Sequence, residues 1–132
     1  MDDCLFCRIV SGEIGSHQVY ADDHAVAFLD IAPFHAGHTL VVPRRHVADV
    51  LSDPDVLTQI APAISTVAAL LTERLGADGM NVFTSAGSVA GQEIFHLHVH
   101  LIPRYADKPG LRALFDRDES QLGVDSVKAK LA

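Results

Sequence analysis

His96-Leu97-His98-Val99-His100-Leu101-Ile102 sets three imidazoles on alternate positions, with apolar residues between them. Period-two alternation marks a strand whose two faces meet different surroundings. Leu97, Val99 and Leu101 then point to a core, and His96, His98 and His100 line the other face. A row of imidazoles is a poor core wall, because each ring has two nitrogens that need partners. A single metal ion does not explain the row. His96 and His100 start about 13 Å apart along a strand, and zinc–nitrogen bonds are about 2.0–2.1 Å, so one ion could take two neighbours but hardly all three. Divided roles fit better: one nucleophile or base, with neighbours that orient it and handle charge. A surface strand with incidental histidines is the competing reading.

Other residues could join that chemistry. The two cysteines, Cys4 and Cys7, sit in Asp-Cys-Leu-Phe-Cys-Arg. They are too few for a disulfide framework. A thioredoxin-like pair should open a helix after a strand, and only three residues precede Cys4. What is left is a half-site for structural zinc, needing two further ligands, or two ordinary thiols in a short helix. Ser85-Ala86-Gly87-Ser88 and Ala90-Gly91-Gln92-Glu93 have the small residues that let backbone N–H groups approach an anion. A flexible turn has the same composition, and the place beside the histidine row favours an anion pocket. Asp30 could accept ribose hydroxyls or start a turn. His38 alone reads as a core histidine and His46 as a loop histidine. His17, His24 and His35 read as surface or turn residues.

These groups need a scaffold. At 132 residues and 48% apolar, one domain over 1–132 with a real core is expected. Ten basic against seventeen acidic residues, net −7, argue against polymeric nucleic acid, which needs a basic face. A mononucleotide needs only a few local donors. The apolar runs fall short of a membrane span and Met-Asp-Asp is a poor signal-peptide start, so no membrane and a cytoplasmic location are expected. Residues 5–11 suit a short amphipathic helix. Gln18–Asp22 and Ala25–Asp30 read as a hairpin, and His38–Val42 as a strand ended by Pro43. A helix capped by Ser52 or Asp53, with Pro54 in its first turn, runs to Leu75 and stops at Gly76. Val56, Ile60, Ile64, Val67, Leu70 and Leu71 keep helical spacing, and Pro62 should bend or break it. Met80–Thr84 and Phe95–Ile102 are further strands. The tail beyond Pro103 is polar and weakly patterned. Hairpins interrupted by one long helix give an α+β fold with an antiparallel sheet, and a parallel α/β arrangement is the alternative.

The chain resembles the histidine triad (HIT) family, in its Hint-like branch. His96 to Ile102 matches the His-φ-His-φ-His-φ-φ signature, extended by Gly91-Gln92 upstream and Pro103-Arg104 downstream. Ala27-Phe28-Leu29-Asp30-Ile31 and Gly37-His38-Thr39-Leu40-Val41-Val42-Pro43 resemble the two other family segments, in the usual order. The likeness covers residues 3 to about 105 and leaves 106–132 as a tail outside it. It implies a HIT-like fold: a five-stranded antiparallel sheet with one long and one short N-terminal helix, two sheets joining across a homodimer. It implies binding of a purine nucleoside monophosphate or a nucleotide conjugate and hydrolysis at the α-phosphorus. The specific activity implied is that of a nucleotide phosphoramidase. A dinucleoside polyphosphate hydrolase and a nucleotide-binding scaffold with weak activity are the alternatives. His98 is then the nucleophile, held by the carbonyl of His96. His100 donates to a phosphate oxygen and His38 supports the cluster. N–H groups from Gly91 to Glu93, with Gln92, steady charge on phosphorus. Asp30 takes the ribose, and Phe6, Ile9, Phe28, Ile31 and Leu40 sandwich the base.

Some relatives hold zinc with residues that match Cys4, Cys7, His46 and His96, which makes structural zinc the expected metal, with no cofactor for catalysis. Two departures stand out. Glu93 occupies a position where many relatives carry Ser or Thr, which helps protonate the leaving group. Ionised about 4 Å from phosphate it would cost on the order of 4 kcal/mol, so it either points away or is protonated and acts as the acid. Ser85 stands where Asn is frequent, which shortens a phosphate contact.

Overall fold

The computed structural model describes residues 3–108 and 123–132. Helix α1 (Leu5–Val10) is capped by Cys4, whose sulfur accepts the Cys7 N–H at 3.3 Å. Strands β1 (Gln18–Ala21) and β2 (Ala25–Leu29) turn on Asp22, whose Oδ1 accepts the N–H groups of His24 and Ala25, both at 2.8 Å. An aspartate folding back on the backbone two residues on is a turn device. Strand β3 (Thr39–Pro43) follows, then helix α2 (Pro54–Leu75), β4 (Gly79–Phe83), a 3-10 turn at Ser88–Ala90, β5 (Val99–Arg104) and helix α3 (Val124–Leu131). The strands form one antiparallel sheet in the order β1-β2-β3-β5-β4. The fold is α+β, and the parallel alternative does not occur.

The central strands are buried on both sides, which explains the unbroken apolar runs Ala25–Phe28 and Leu40–Val42. One face, with Ala25, Ala27, Val41, Leu97, Val99 and Leu101, packs on Val56, Ile60, Ala63, Val67 and Leu71 of α2. The other, with Val26, Phe28, Leu40 and Val42, receives Phe6 of α1. Leu40 pairs with His100, so the later triad histidines lie on the α1 side of the sheet.

Asp53 caps α2 by accepting the Asp55 N–H at 2.9 Å, and Gly76 closes it in the left-handed conformation. Of the bend or break expected at Pro62, the break does not occur: the helix runs on through it. Proline inside a helix costs about 3 kcal/mol, whereas burying one large aliphatic side chain contributes roughly 1.5–3 kcal/mol. The buried stripe therefore outweighs the proline. By length and composition α2 could cross a membrane, but that stripe packs on the sheet and makes it a core helix.

The histidine segment departs from expectation at its start. The strand begins at Val99 rather than Phe95, and it runs past Ile102 to Arg104. Before Val99 the backbone finds partners outside the ladder. The Leu97 N–H donates to the Val47 carbonyl at 2.8 Å, and the Thr84 hydroxyl donates to the His98 carbonyl at 2.7 Å. Side-chain alternation nevertheless continues through the segment, with Leu97, Val99 and Leu101 all buried. Helix α3 was not visible in the weakly patterned tail. It carries no buried residue, with Asp125 in its first turn and Lys128 and Lys130 in its last, each on the side the helix dipole favours.

Candidate active site

Each triad histidine is fixed in one tautomer by a partner of known polarity. A carbonyl can only accept, so His96 donates from Nε2 to the Pro43 oxygen at 2.9 Å and keeps a lone pair on Nδ1. His98 donates from Nδ1 to the His96 carbonyl at 2.8 Å and keeps its lone pair on Nε2. The Phe34 N–H donates to His38 Nδ1 at 3.2 Å, so His38 carries its proton on Nε2 and donates it to His100 Nδ1 at 3.0 Å. The His100 proton is thereby placed on Nε2. Neighbouring residues thus differ: His98 presents a free acceptor and His100 a free donor. Burial holds both ends of this relay below the ordinary imidazole range. His38 is lowered chiefly by desolvation, partly offset by Asp30, whose Oδ2 lies 3.6 Å from Nε2. His100 is lowered to about 4, first by burial and then by His98 and His38.

His98 and His100 line a cavity of about 770 Å³ between α1 and the open face of the sheet. Phe6, Ile9, Phe28, Ile31 and Leu40 form an apolar part of its wall, and Asp30, Ser85, Gly91 and Glu93 also line it. The Phe6 ring meets the His98 ring edge-on at 5.0 Å. Asp30 lines the cavity, and its Oδ1 accepts the Ala32 N–H at 2.9 Å as a turn-former does. Glu93 is exposed on the cavity wall rather than turned away from it.

The loop before the triad is held together by its own polar groups. Gln92 is buried and outside the lining. Its Oε1 accepts the Gly87 N–H at 2.8 Å, and its Nε2 donates to the Ala48 and Ile94 carbonyls at 2.7 and 3.1 Å. The Gly91 N–H bonds the Ser88 carbonyl at 3.0 Å and the Gln92 N–H bonds the Gly87 carbonyl at 3.1 Å. In this structure these groups hold the loop's shape, and the Gln92 amide bonds Gly87, Ala48 and Ile94. Gly91, at φ 99°, closes the 3-10 turn in a conformation that glycine tolerates best.

Residue reasoning overlooked several neighbours. Phe83 stacks on His100 at 4.7 Å and pairs with it across the sheet, so correct strand register would have found it. Phe34 stacks on His38 at 5.4 Å and sets its tautomer through its own N–H. Thr84 holds the His98 carbonyl. Leu5, Ile14, Ile94 and the exposed His17 also line the cavity. Loop residues such as Phe34 carry no periodicity that would announce them.

On the far side of His98, Cys4, Cys7, His46 and His96 bring their ligand atoms within 4.8 Å of one another. Cys spacing of three on a helical turn puts both sulfurs on one side. His96 Nδ1 lies 3.4 Å from Cys4 Sγ, 3.5 Å from Cys7 Sγ and 3.2 Å from His46 Nδ1, and Cys7 Sγ lies 3.3 Å from His46 Nδ1. A tetrahedral zinc would place S···N pairs at about 3.5 Å and N···N pairs at about 3.3 Å. The buried His96 lone pair faces this centre while its other nitrogen is anchored on a carbonyl, as metal-bound histidines require. Burial and the neighbouring Cys4 sulfur push the Cys7 thiol up. The donor set could hold a metal ion.

This fold, with these histidines in these tautomers, defines a histidine-triad protein. The chain belongs to the HIT family: the family model for the HIT domain matches residues 11–107. It is 47% identical over 104 residues to an uncharacterized HIT-like protein of Methanocaldococcus jannaschii, covering 77% of this chain and 79% of that one. It is 38% identical over 109 residues to the adenosine 5'-monophosphoramidase HNT1 of Saccharomyces cerevisiae, covering 82% and 66%. It is 34% identical over 104 residues to the adenylylsulfatase HINT3 of Arabidopsis thaliana, covering 78% and 53%. A crystal structure of a HIT family protein from Bacillus anthracis matches with a TM-score of 0.86 and 34% identity, over 98% of this chain and 93% of that one. A zinc-bound histidine triad family protein from Mycobacterium smegmatis matches with a TM-score of 0.77 and 37% identity, over 89% and 84%.

Proposed function

We propose that this protein hydrolyses a purine nucleotide conjugate at its α-phosphorus, as a phosphoramidase, through a nucleotidyl-histidine on His98. The observation that carries this is the His98 Nδ1–His96 carbonyl bond, which leaves Nε2 as a free acceptor on the cavity wall. Nε2 attacks phosphorus, the bond from phosphorus to the leaving group breaks, and the leaving group takes a proton from solvent water, which the hydrolysis step returns. Water then attacks the same phosphorus and releases the nucleoside monophosphate and the neutral histidine. One difficult displacement becomes two easier ones. The His100 Nε2–H donates to a phosphoryl oxygen, and the His38 relay keeps that proton in place. Asp30 receives the ribose hydroxyls and the apolar wall around Phe6 and Phe28 receives the base. The 38% identity to a yeast adenosine 5'-monophosphoramidase supports this chemistry.

Cys4, Cys7, His46 and His96 would hold zinc, which supplies a structural crosslink between α1 and the triad segment rather than a reacting group. The likeness to a zinc-bound relative supports that metal. The working domain is residues 3 to about 105, it pairs as a homodimer through sheet extension, and free thiols at Cys4 and Cys7 suit a reducing cytoplasm. The deciding experiment is hydrolysis of adenosine 5'-phosphoramidate by wild type and His98→Ala, both verified as folded. Turnover that vanishes in the variant supports the reading. A folded, AMP-binding wild type with no turnover favours a binding role instead.

A further inference from the structure

The cavity that holds the triad is lined by no lysine or arginine among the described residues. Its titratable groups are Asp30, Glu93, His17, His98 and His100. Asp30 is engaged by the Ala32 N–H and faces the His38 ring. Glu93 has no cation paired with it among the described residues. An adjoining hollow of about 370 Å³ shares Leu5, Glu93 and Ile94 with the cavity and adds Asp3, again with no lysine or arginine among its lining. Anion donors are scarce as well, since the Gly91 and Gln92 N–H groups and the Gln92 amide are spent inside the loop. What remains for an anion on this wall is the His100 Nε2–H, the Glu93 N–H, the Ser85 and Ser16 hydroxyls and the exposed His17 ring. The set holds no lysine or arginine to balance a second phosphoryl charge.

The geometry points to Glu93 as a charge selector for the leaving group: the site accepts nucleotide conjugates whose leaving amine carries a positive charge, and turns away sulfate and polyphosphate leaving groups. This rests on the hydrolase reading above and names the substrate class within it. Glu93 stands on the wall of the cavity that His98 lines, and with Asp3 on the wall of the hollow beside it, so a cationic leaving group that extends that way meets opposite charge. A sulfate or a phosphate chain meets like charge with no counter-cation. Attraction between exposed groups is moderate and screened by salt, so the preference is graded.

The test uses three AMP phosphoramidates with the same P–N bond: one of ethylenediamine, with a free ammonium, one of propylamine, and one of β-alanine, with a free carboxylate. Wild type should rank them cationic, neutral, anionic in kcat/KM, by about tenfold per unit of charge at low salt, with the spread narrowing as salt rises. Glu93→Gln should collapse the ranking and Glu93→Asp should restore it. The affinities of the same three compounds for folded His98→Asn, read by calorimetry, give the ranking without turnover. Equal affinities there, or a wild-type ranking that Glu93→Gln leaves intact, overturn the selector. Turnover of all three at one rate overturns it too, and leaves the hydrolase reading standing. No turnover in wild type with ranked affinities defeats the hydrolase reading and upholds the selector.

Discussion

Two histidines two positions apart present opposite chemistry to one cavity, and the difference lies in their partners. His98 is fixed by a carbonyl and His100 by another imidazole. The position of His100 among buried groups keeps it neutral down to about pH 4. Ring-nitrogen NMR should therefore show His100 unprotonated at pH 5.5 with its hydrogen on Nε2. A ring that titrates near the ordinary 6.5 contradicts the relay. The sign for stability follows. The folded chain resists a proton that the unfolded chain takes up near 6.5. The stability linked to His100 is complete above about pH 6.5 and is lost progressively as pH falls toward about 4. Thr84→Val removes the donor to the His98 carbonyl. Urea unfolding should show a loss of about 1 kcal/mol, and kcat should fall more than KM changes because His98 loses its support. The triad and the cysteines were legible as residue types in a pattern, whereas the wall positions Phe6, Ile9, Phe28, Ile31 and Leu40 followed only from the family resemblance. Gln92 was not legible in this way, because a glutamine bonded to three backbone groups and one free to meet a ligand look alike in sequence.

At the scale of elements, the legible features were those with local causes. Asp53, Pro54 and Gly76 mark the ends of α2 because caps act within a turn. Asp53→Ala should cost about 1 kcal/mol in thermal or urea unfolding. The Asp55 N–H first, and then Arg45, hold the Asp53 carboxyl below its ordinary range. That contribution is present above about pH 3.8 and fades as pH falls through the lower folded value. Leu101→Ala, in a strand packed on α2, should cost about 2–5 kcal/mol, measurable as a lower urea midpoint with an unchanged slope. The start of β5 was not legible, because its partners, Val47 and Thr84, are chosen by tertiary approach. Helix α3 was missed for a related reason: with no buried face among the described residues, it leaves no apolar stripe beyond Val124, Val127 and Leu131 to read.

The whole molecule joins its two clusters through α1. Cys4 and Cys7 reach the metal-binding constellation, and Phe6 between them reaches the cavity and touches the His98 ring. Cys7→Ser should lower the melting temperature and the bound zinc-to-protein ratio together. It should raise KM for a purine nucleotide more than it lowers kcat, because the His98 tautomer depends on a backbone carbonyl and not on the metal. Chelation of wild type should reproduce the stability change, and a chelated protein with full metal-independent stability argues against a structural ion. The end of β3 has a consequence of a different kind. The Pro43 carbonyl holds His96 of the cysteine–histidine cluster, and four residues earlier Thr39 follows the His38 that holds His100. One anchor is the last residue of β3 and the other immediately precedes its first. A slip of a single residue turns every side chain to the other face and disconnects both at once. A misregistered molecule would therefore lose the anchored His96 of the Cys4, Cys7, His46 and His96 cluster and the His38 relay to His100 together, so the two clusters stand or fall on one threading of the chain.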